Sequence, residues 1–342
     1  MSEKIPLLGK TPEEINEVLS NLNLPRFTSK QISEWIYRKR VWHFDEMTNL
    51  SLATRRILNE KYTVGFHSFV QRAVSNDGTE KYLYNVGIGF VESVYIPEET
   101  RATLCISSQV GCRYACTFCA TGKQGFSGNL NSGDILNQIL TNPFYEKLTN
   151  IVFMGMGEPL DNIEEVIKTC NIMSADWGLA MSPRRVTVST IGLTQQLERI
   201  IQETECHLAI SLHSPFDEER QKIMPGQKSN PIDKIVEILR KYDWSGQRRL
   251  SFEYILFDGI NDSDKHIEAI VRLLKKLPCR VNLINYNATE EQNFKPATEE
   301  KMIWFRDRLT KQGVFTTIRK SRGQDILAAC GMLSTKKGKQ KD

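Results

Sequence analysis

The chain has 342 residues, of which 40% are hydrophobic and 25% charged, so it can bury a core and is not a disordered chain. Its formal net charge of +4 comes from 45 basic and 41 acidic residues, which is only weak support for a nucleic-acid partner. We find no signal peptide and no run of ~20 apolar residues, and therefore expect a cytoplasmic enzyme-sized protein, one large domain with a smaller one, without a membrane segment.

Residues 1–65 are predicted to form a small helical domain. Thr11 and Glu14 have the spacing of a capping box, which predicts that a helix begins there. Two further helices are predicted over residues 28–40 and 51–62 from the spacing of their apolar residues.

Residues 66–100 are predicted to form a β extension with three strands. From residue 101, strand-like and helical runs alternate, which predicts a parallel sheet with right-handed crossovers. We expect an α/β fold in which six strand–helix units form an open, partial β/α barrel, with a further helix and strand, over residues 101–320. Residues 321–342 form a C-terminal segment that ends in a basic tail. The strand-like runs cover residues 67–74, 80–86, 90–96, 102–107, 150–155, 185–190, 207–212, 249–256 and 280–286.

Several barrel strands have one apolar face and one small or polar face. Cys105, Ser189 and Ser211 all lie on polar faces, because side chains alternate along a strand. A strand inside a purely structural layer should be apolar on both faces. We expect the polar faces to line a common lumen with room for a ligand; the alternative is a set of solvent-facing edge strands.

Three closely spaced cysteines directly follow the first barrel strand. Cys112, Cys116 and Cys119 are spaced C-x₃-C-x₂-C within GCRYACTFCATG. Structural zinc needs four ligands, and no fourth Cys or His stands at ligand spacing. An iron–sulfur cluster held by three thiolates leaves one iron open, as a catalytic metal centre does. The loop also lies at the end of a barrel where active sites are built.

The cysteine spacing at this place resembles the radical S-adenosylmethionine (SAM) superfamily. Phe118, before the last cysteine, also matches, and GMGEP at 155–159 is similar to the Gly-Glu-Pro segment of that superfamily. The resemblance implies that Cys112, Cys116 and Cys119 hold one [4Fe-4S] cluster. It also implies that the open iron binds SAM, whose reduction releases a 5′-deoxyadenosyl radical.

Longer runs extend the resemblance over nearly the whole chain to the RlmN/Cfr family of RNA methyltransferases. The runs are RATLCISSQVGC, TGKQGF, FMGMGEPL, SPRRVTVSTIGL, AISLHSP and IRKSRGQDILAACG. Pro159 matches the RlmN form, which implies methylation of adenine C2 in 23S rRNA and in tRNA beside the anticodon. The alternatives are a Cfr-like enzyme acting on adenine C8 and a non-enzymatic, zinc-stabilised RNA-binding protein.

The resemblance also implies catalytic roles for three residues. Cys330 matches the methyl-carrying cysteine, Cys105 the cysteine that resolves the adduct through a transient disulfide, and Glu92 the proton acceptor. From the residues alone, Cys330 also fits a small buried thiol at a helix end. Glu92 is a lone carboxylate on an apolar strand face, and an exposed strand also fits it. The residues that match SAM contacts are Gly157, Glu158, Ser189, Ser211, Leu212, His213 and Asn287.

Clusters of basic residues suit phosphate groups, although each also fits a solvated face. We expect the N-terminal domain and these clusters to hold an RNA that presents a splayed base. The resemblance further implies a flavodoxin- or ferredoxin-type electron donor, and we expect a monomer. The clusters lie at residues 38–40, 55–56, 184–185, 248–249 and 319–322.

Overall fold

A computed structural model describes residues 4–288 and 294–335 of the chain. The helices are α1 Pro12–Ser20, α2 Thr28–Ser33, α3 Leu52–Lys61, α4 Ala120–Gln124, α5 Ser132–Leu140, α6 Ile163–Ser174, α7 Thr194–Glu203, α8 Asp217–Ile223, α9 Ile232–Leu239, α10 Asp264–Leu274 and α11 Glu299–Lys311. The strands are β1 Ile5–Pro6, β2 Tyr62–Thr63, β3 Gln71–Val74, β4 Glu80–Asn85, β5 Phe90–Pro97, β6 Ala102–Cys105, β7 Gln109–Gly111, β8 Phe126–Asn129, β9 Asn150–Phe153, β10 Val186–Thr190, β11 His207–Ser211, β12 Leu250–Leu256, β13 Arg280–Asn285 and β14 Thr316–Arg319. Most of the predicted basic tail lies outside the described residues.

One ten-stranded sheet organises the molecule, in the order β14-β13-β12-β11-β10-β9-β6-β5-β4-β3. The strands from β6 to β14 in this sheet are parallel and are connected through helices, which confirms the predicted partial β/α barrel. The seventh parallel strand, β14, is the further strand expected after the six units. The antiparallel strands β3 to β5 join the same sheet, with Val94 of β5 opposite Cys105 of β6.

The barrel strands have an apolar outer face and a polar inner face. Leu208 and Ile210 of β11 are buried in the hydrophobic core. On the inner face Ser211 of β11 stands opposite Glu253 of β12 in the strand register, and Glu253 stands opposite Asn282 of β13. Polar residues of the three strands therefore lie side by side. These inner faces line cavities within the sheet. The expected lumen is therefore confirmed, and the alternative of solvent-facing edge strands is wrong.

Helix α1 begins as its sequence predicts, whereas the strands β1 and β2 that pair at the two ends of the N-terminal region were not predicted. Thr11 accepts a hydrogen bond from the Glu14 N–H, and the Glu14 carboxylate accepts one from the Thr11 N–H. The basic cluster at 38–40 packs against the barrel: Arg40 pairs with Glu146 and stacks on Tyr145, with its guanidinium carbon 4.1 Å from the ring centre. This arginine is therefore occupied by protein contacts. No helix in the described part of the chain combines the length and apolar character needed to cross a membrane.

The cysteine loop differs from expectation in one respect. It does not follow β6 directly, because the strand β7 precedes Cys112 and pairs with β8 beyond the loop. This two-stranded ribbon is separate from the large sheet. Alternation over three or four residues is too short a signal to predict such a ribbon.

Candidate active site

A tight turn brings the three cysteines together. Gly111 has φ +76°, and a Cβ atom there would lie 1.7 Å from the Gly125 carbonyl oxygen, so only glycine fits. The Cys112 N–H donates to that same oxygen at 3.0 Å, which closes the base of the loop. Within the loop the Cys119 N–H donates to the Cys116 carbonyl at 3.0 Å. The loop is thus fixed by its backbone and leaves its thiols free to bind.

The three thiols face a cavity of about 150 Å³ at the carboxyl ends of the barrel strands. Burial raises the pKa of Cys112 to about 12 and also raises that of Cys116, and neighbouring negative charges add to the effect. Thiolates here therefore need a bound cation. Within the described residues no three Cys, His, Asp or Glu side chains close around a single metal ion. A set of three sulfur ligands fits an iron–sulfur cluster, in which each thiolate binds a different iron.

Five of the seven residues predicted to contact SAM line this same cavity. They are Gly157, Glu158, Ser189, Ser211 and His213.

Two backbone N–H groups, one just after Glu158 and one just after β10, hold the Glu158 carboxylate in place. Its carboxylate accepts the Leu160 N–H at 3.0 Å and the Ile191 N–H at 2.9 Å. Burial raises its pKa to about 7, and these backbone donors oppose that rise. Each carboxylate oxygen can accept more than one bond, so Glu158 retains capacity for a ligand ammonium group.

His213 is a neutral side chain at the wall of the cavity. Its Nδ1 accepts the Ile255 N–H at 3.0 Å, and burial lowers its pKa to about 3. The ring of Phe118 lies edge-on to the His213 ring, with 4.9 Å between the ring centres. Phe118 therefore connects the cysteine loop to the end of β11.

Two predicted residues lie elsewhere. Leu212 is fully buried in the core, and its carbonyl oxygen accepts a hydrogen bond from Arg220. Asn287 lines a second cavity, where its amide nitrogen lies 3.5 Å from the Cys330 carbonyl oxygen and its side-chain oxygen accepts from Gln324. In this structure Asn287 therefore orients the segment that carries Cys330.

The second cavity, of about 550 Å³, fills the amino-terminal half of the lumen. Cys105 and Cys330 both line it, together with arginines from several strands. Cys330 also lines the cavity of the three cysteines and therefore stands where the two meet. Its thiol is exposed to the cavity space, yet burial within the molecule raises its pKa, while the charge of Arg319 opposes this rise. Burial raises the pKa of Cys105 as well, and Cys330 adds to the shift.

Glu92 is buried, so the alternative of an exposed strand is wrong. One carboxylate oxygen lies 3.0 Å from the Lys81 ammonium, and the other accepts the Ser334 N–H at 3.0 Å. Burial raises the pKa of Glu92, and Lys81 opposes this rise. Glu92 is not among the residues that line either cavity, because the segment after Cys330 covers it.

An ion pair that sequence reasoning did not identify, between buried Glu253 and partly exposed Arg319, lies near Cys330. Glu253 projects into the cavity of the three cysteines, and its Oε2 lies 3.6 Å from Arg319 without a hydrogen bond. Arg319 also lies 3.1 Å from the Met154 sulfur. Alternation along β12 assigns Glu253 to the same polar face as Ser251, but no local pattern pairs it with Arg319, 66 residues later.

Comparison with known proteins agrees with this geometry. The family model of the Radical SAM superfamily matches residues 106–274, and that of the ribosomal RNA large subunit methyltransferase N-terminal domain matches residues 5–64. A protein of Bacteroides thetaiotaomicron, named as a probable dual-specificity RNA methyltransferase RlmN, is 54% identical over 98% of both chains. The dual-specificity RNA methyltransferase RlmN of Syntrophus aciditrophicus is 41% identical over 97% of both chains. The chain belongs to the RlmN family of radical SAM RNA methyltransferases.

A solved structure supports the same fold for this RlmN-family chain. The crystal structure of a radical SAM methyltransferase from Sphaerobacter thermophilus has a TM-score of 0.90 and 37% sequence identity, and the match covers 96% of this chain and 99% of that one. The enzyme is thus an RNA methyltransferase whose cofactors are a [4Fe-4S] cluster and SAM. The three thiols, and the polar groups of Glu158, Ser189 and Ser211 in an otherwise largely apolar cavity, fit these cofactors.

Proposed function

We propose that this enzyme methylates C2 of a specific adenine in 23S rRNA and of an adenine beside the anticodon in tRNA, through a methylated cysteine. The observation that carries the proposal is the position of Cys330, which lines both cavities. One cavity holds the residues suited to the cluster and SAM, and the other is wide enough for a base. A group carried on Cys330 can therefore be loaded from one side and delivered to the other.

Cys330 and Cys105 divide the chemistry between them. The Cys330 thiolate first takes a methyl group from SAM, because a thiolate is a far stronger nucleophile than an electron-poor ring carbon. When bound, the cluster and a second SAM supply the radical that removes a hydrogen atom from this S-methyl group. The remaining carbon radical adds to adenine C2 and joins RNA to protein; the adduct then loses the C2 proton and one electron, which the oxidised cluster would accept. The Cys105 thiolate next attacks the Cys330 sulfur: a disulfide forms, the bond from that sulfur to the methylene carbon breaks, and the carbon keeps the electron pair and takes a proton to become the methyl group. Two electrons from the donor protein return the disulfide to thiols.

Glu92 completes the reaction as the proton acceptor for adenine C2. Its burial favours the neutral acid, and Lys81 at 3.0 Å favours the carboxylate that must accept the proton. Because the Ser334 N–H caps the carboxylate, the segment after Cys330 must move before Glu92 reaches the base. Since this segment also carries Cys330, adduct formation and exposure of Glu92 can be coupled.

The remaining assignments belong to the same proposal. Five SAM contacts are assigned to residues that line the cavity of the three cysteines: Gly157, Glu158, Ser189, Ser211 and His213. Leu212 would contribute through its backbone. Asn287 would contribute by positioning the segment that carries Cys330. We assign residues 1–65 to RNA binding, 66–100 to the β extension, 101–320 to catalysis and 321–342 to the segment of the methyl carrier. The enzyme would work in the cytoplasm as a monomer with a flavodoxin- or ferredoxin-type donor.

The test is the fate of the adduct. In oxygen-free turnover with substrate RNA, Cys105→Ala should accumulate a covalent RNA–protein complex, visible on a denaturing gel. The double variant Cys105→Ala, Cys330→Ala should form none. Absence of adduct in the single variant would contradict the assigned roles. Mass spectrometry of the isolated nucleoside distinguishes 2-methyladenosine from the 8-methyl product of a Cfr-like enzyme.

A further inference from the structure

We propose that Arg184, Arg249 and Arg280, together with His207, form a binding site for RNA phosphates at the amino-terminal end of the barrel. The site would hold the backbone beside the target base while that base enters the lumen. It rests on the proposed function, because the ligand is the substrate RNA of that reaction.

The topology brings these residues to one mouth of the lumen. Arg249 directly precedes β12, while Arg280 begins β13 and His207 begins β11. Arg184 lies in the turn before β10. Because neighbouring barrel strands are parallel, their amino ends meet at the same edge, and all four side chains line the cavity of about 550 Å³. The thiols of the cysteine loop lie at the opposite end of the strands.

The three arginines carry charge that the protein does not neutralise. No acidic side chain in the described ranges forms an ion pair or hydrogen bond with Arg184, Arg249 or Arg280. Among the described residues, Glu98 is the one carboxylate that lines this cavity, and Arg101 donates a hydrogen bond to it at 2.6 Å. Arg199 on α7, by contrast, is paired with two glutamates. Arg280 does stack on Phe315, with 5.6 Å from its guanidinium carbon to the ring centre, but this contact leaves its charge in place. Clustered cations without acidic partners suit phosphate groups.

His207 adds a neutral donor to this cluster. Its Nδ1 accepts the Arg249 N–H at 3.0 Å, so in the neutral ring the proton is on Nε2. Burial and the charges of the surrounding arginines lower its pKa to about 4, so the ring stays neutral at physiological pH. His207 can therefore donate one hydrogen bond to a phosphate oxygen.

The cavity behind the mouth leads to the reacting cysteines. Its wall continues from Arg280 through Asn282 toward Cys105 and Cys330. An enzyme that acts on a ring carbon must take the base out of its stack, and unstacked loop nucleotides are the usual targets of RNA readers. A base extended into this cavity leaves its flanking phosphates at the mouth, where the arginines lie.

An acidic electron-donor protein is the other class of partner that a basic surface attracts. Such a donor must approach the cluster, and the three cluster cysteines lie at the carboxyl ends of the strands. The three arginines lie at the amino ends of the strands, away from the iron–sulfur cluster. Their position therefore favours RNA over an electron-donor protein as the ligand of this site.

The experiment compares the anaerobically purified holoenzyme with the triple variant Arg184→Gln, Arg249→Gln, Arg280→Gln. Binding to a transcript of the target 23S rRNA hairpin is measured from low to high salt. Each lost phosphate contact on a single strand should reduce the slope of log K against log[salt] by about 0.7, so the triple variant should lose about 2. The matched control Arg199→Gln removes an exposed arginine that is paired with two glutamates and does not line the cavity, and it should keep the wild-type slope.

Methylation of Cys330 by SAM alone, followed by mass spectrometry, should be unchanged in the triple variant and verifies that the fold and the SAM site are intact. If the triple variant does not fold, Arg249→Gln alone carries the test, with an expected slope change of about 0.7. An unchanged slope overturns the inference. So does normal RNA binding with loss of cluster reduction by reduced flavodoxin, which would assign the site to a protein donor. Failure of the wild-type enzyme itself to bind or methylate RNA would instead overturn the proposed function.

Discussion

Arg220 is, within the described part of the chain, the largest side chain that is fully buried. It forms no salt bridge there and donates five hydrogen bonds instead. The acceptors are the carbonyl oxygens of Ile191, Ser211, Leu212 and Asn230 and the side-chain oxygen of Gln227. These acceptors follow or end β10 and β11 and precede α9, so one guanidinium joins three segments around the cavity of the three cysteines.

We expect Arg220→Met to destabilise the enzyme by about 3–5 kcal/mol. The replacement has similar length but no donors, and a buried acceptor left without a partner costs about 1–3 kcal/mol. Removing the buried cation offsets part of this cost, because burial is unfavourable for the charge and lowers the pKa of Arg220 to about 10. Arg220→Lys keeps the charge but has three donors for five acceptors, and should lose about 2–3 kcal/mol.

Denaturant unfolding of the variants, followed by circular dichroism, measures this loss. Equilibrium SAM binding reports whether Ser211 and the segment after β10 have shifted. The control Arg199→Met removes an exposed guanidinium and should leave the unfolding midpoint nearly unchanged. If Arg220→Met lies within about 1 kcal/mol of the wild type, the five bonds do not stabilise this region and the reasoning is refuted.

Two further outcomes follow from the site. Glu92→Gln should retain methylation of Cys330 but stop at the RNA adduct, as seen on a denaturing gel; release of methylated RNA at the wild-type rate would exclude Glu92 as the proton acceptor. Gly157→Ala should weaken SAM binding measured by equilibrium dialysis, because its Cβ would lie 2.6 Å from the Gln109 Cβ, whereas Gly87→Ala, also at positive φ but with no atom within 4 Å, should bind SAM normally.

Local patterns predicted much of this architecture. The Thr11 capping box and the alternation of β10, β11 and β12 each depend on residues within one element, and the structure confirms both. The polar faces were informative because a buried strand lined with serine or glutamate is costly unless it faces a ligand. The helices α4 and α8 were not predicted, since five to seven residues give too little periodicity.

Contacts between distant segments could not be predicted in this way. Arg220 stands in an ordinary charged run, DEERQK, and nothing nearby indicates that it is buried. Arg319 meets Glu253 only because β14 lies two strands from β12 in the sheet. In each case the partner is set by strand order, which the residues around the arginine do not encode.

Two pairs of adjacent arginines, at residues 248–249 and 184–185, show where the alternation of side chains along a strand predicts the lumen-facing residue and where it does not. In β12, Ser251 and Glu253 face the lumen, so the same alternation assigns Arg249 to the lumen and Arg248 to the outside. The structure agrees: Arg249 lines the cavity, while Arg248 donates to the carbonyl oxygens of residues 201 and 206. The rule fails at residues 184–185, where alternation from Ser189 selects the second arginine but the first lines the cavity. A short 3₁₀ turn over Pro183–Arg185 ends the alternation just before β10. The sequence alone therefore could not predict that Arg184 joins Arg249 and Arg280 at the amino-terminal end of the lumen.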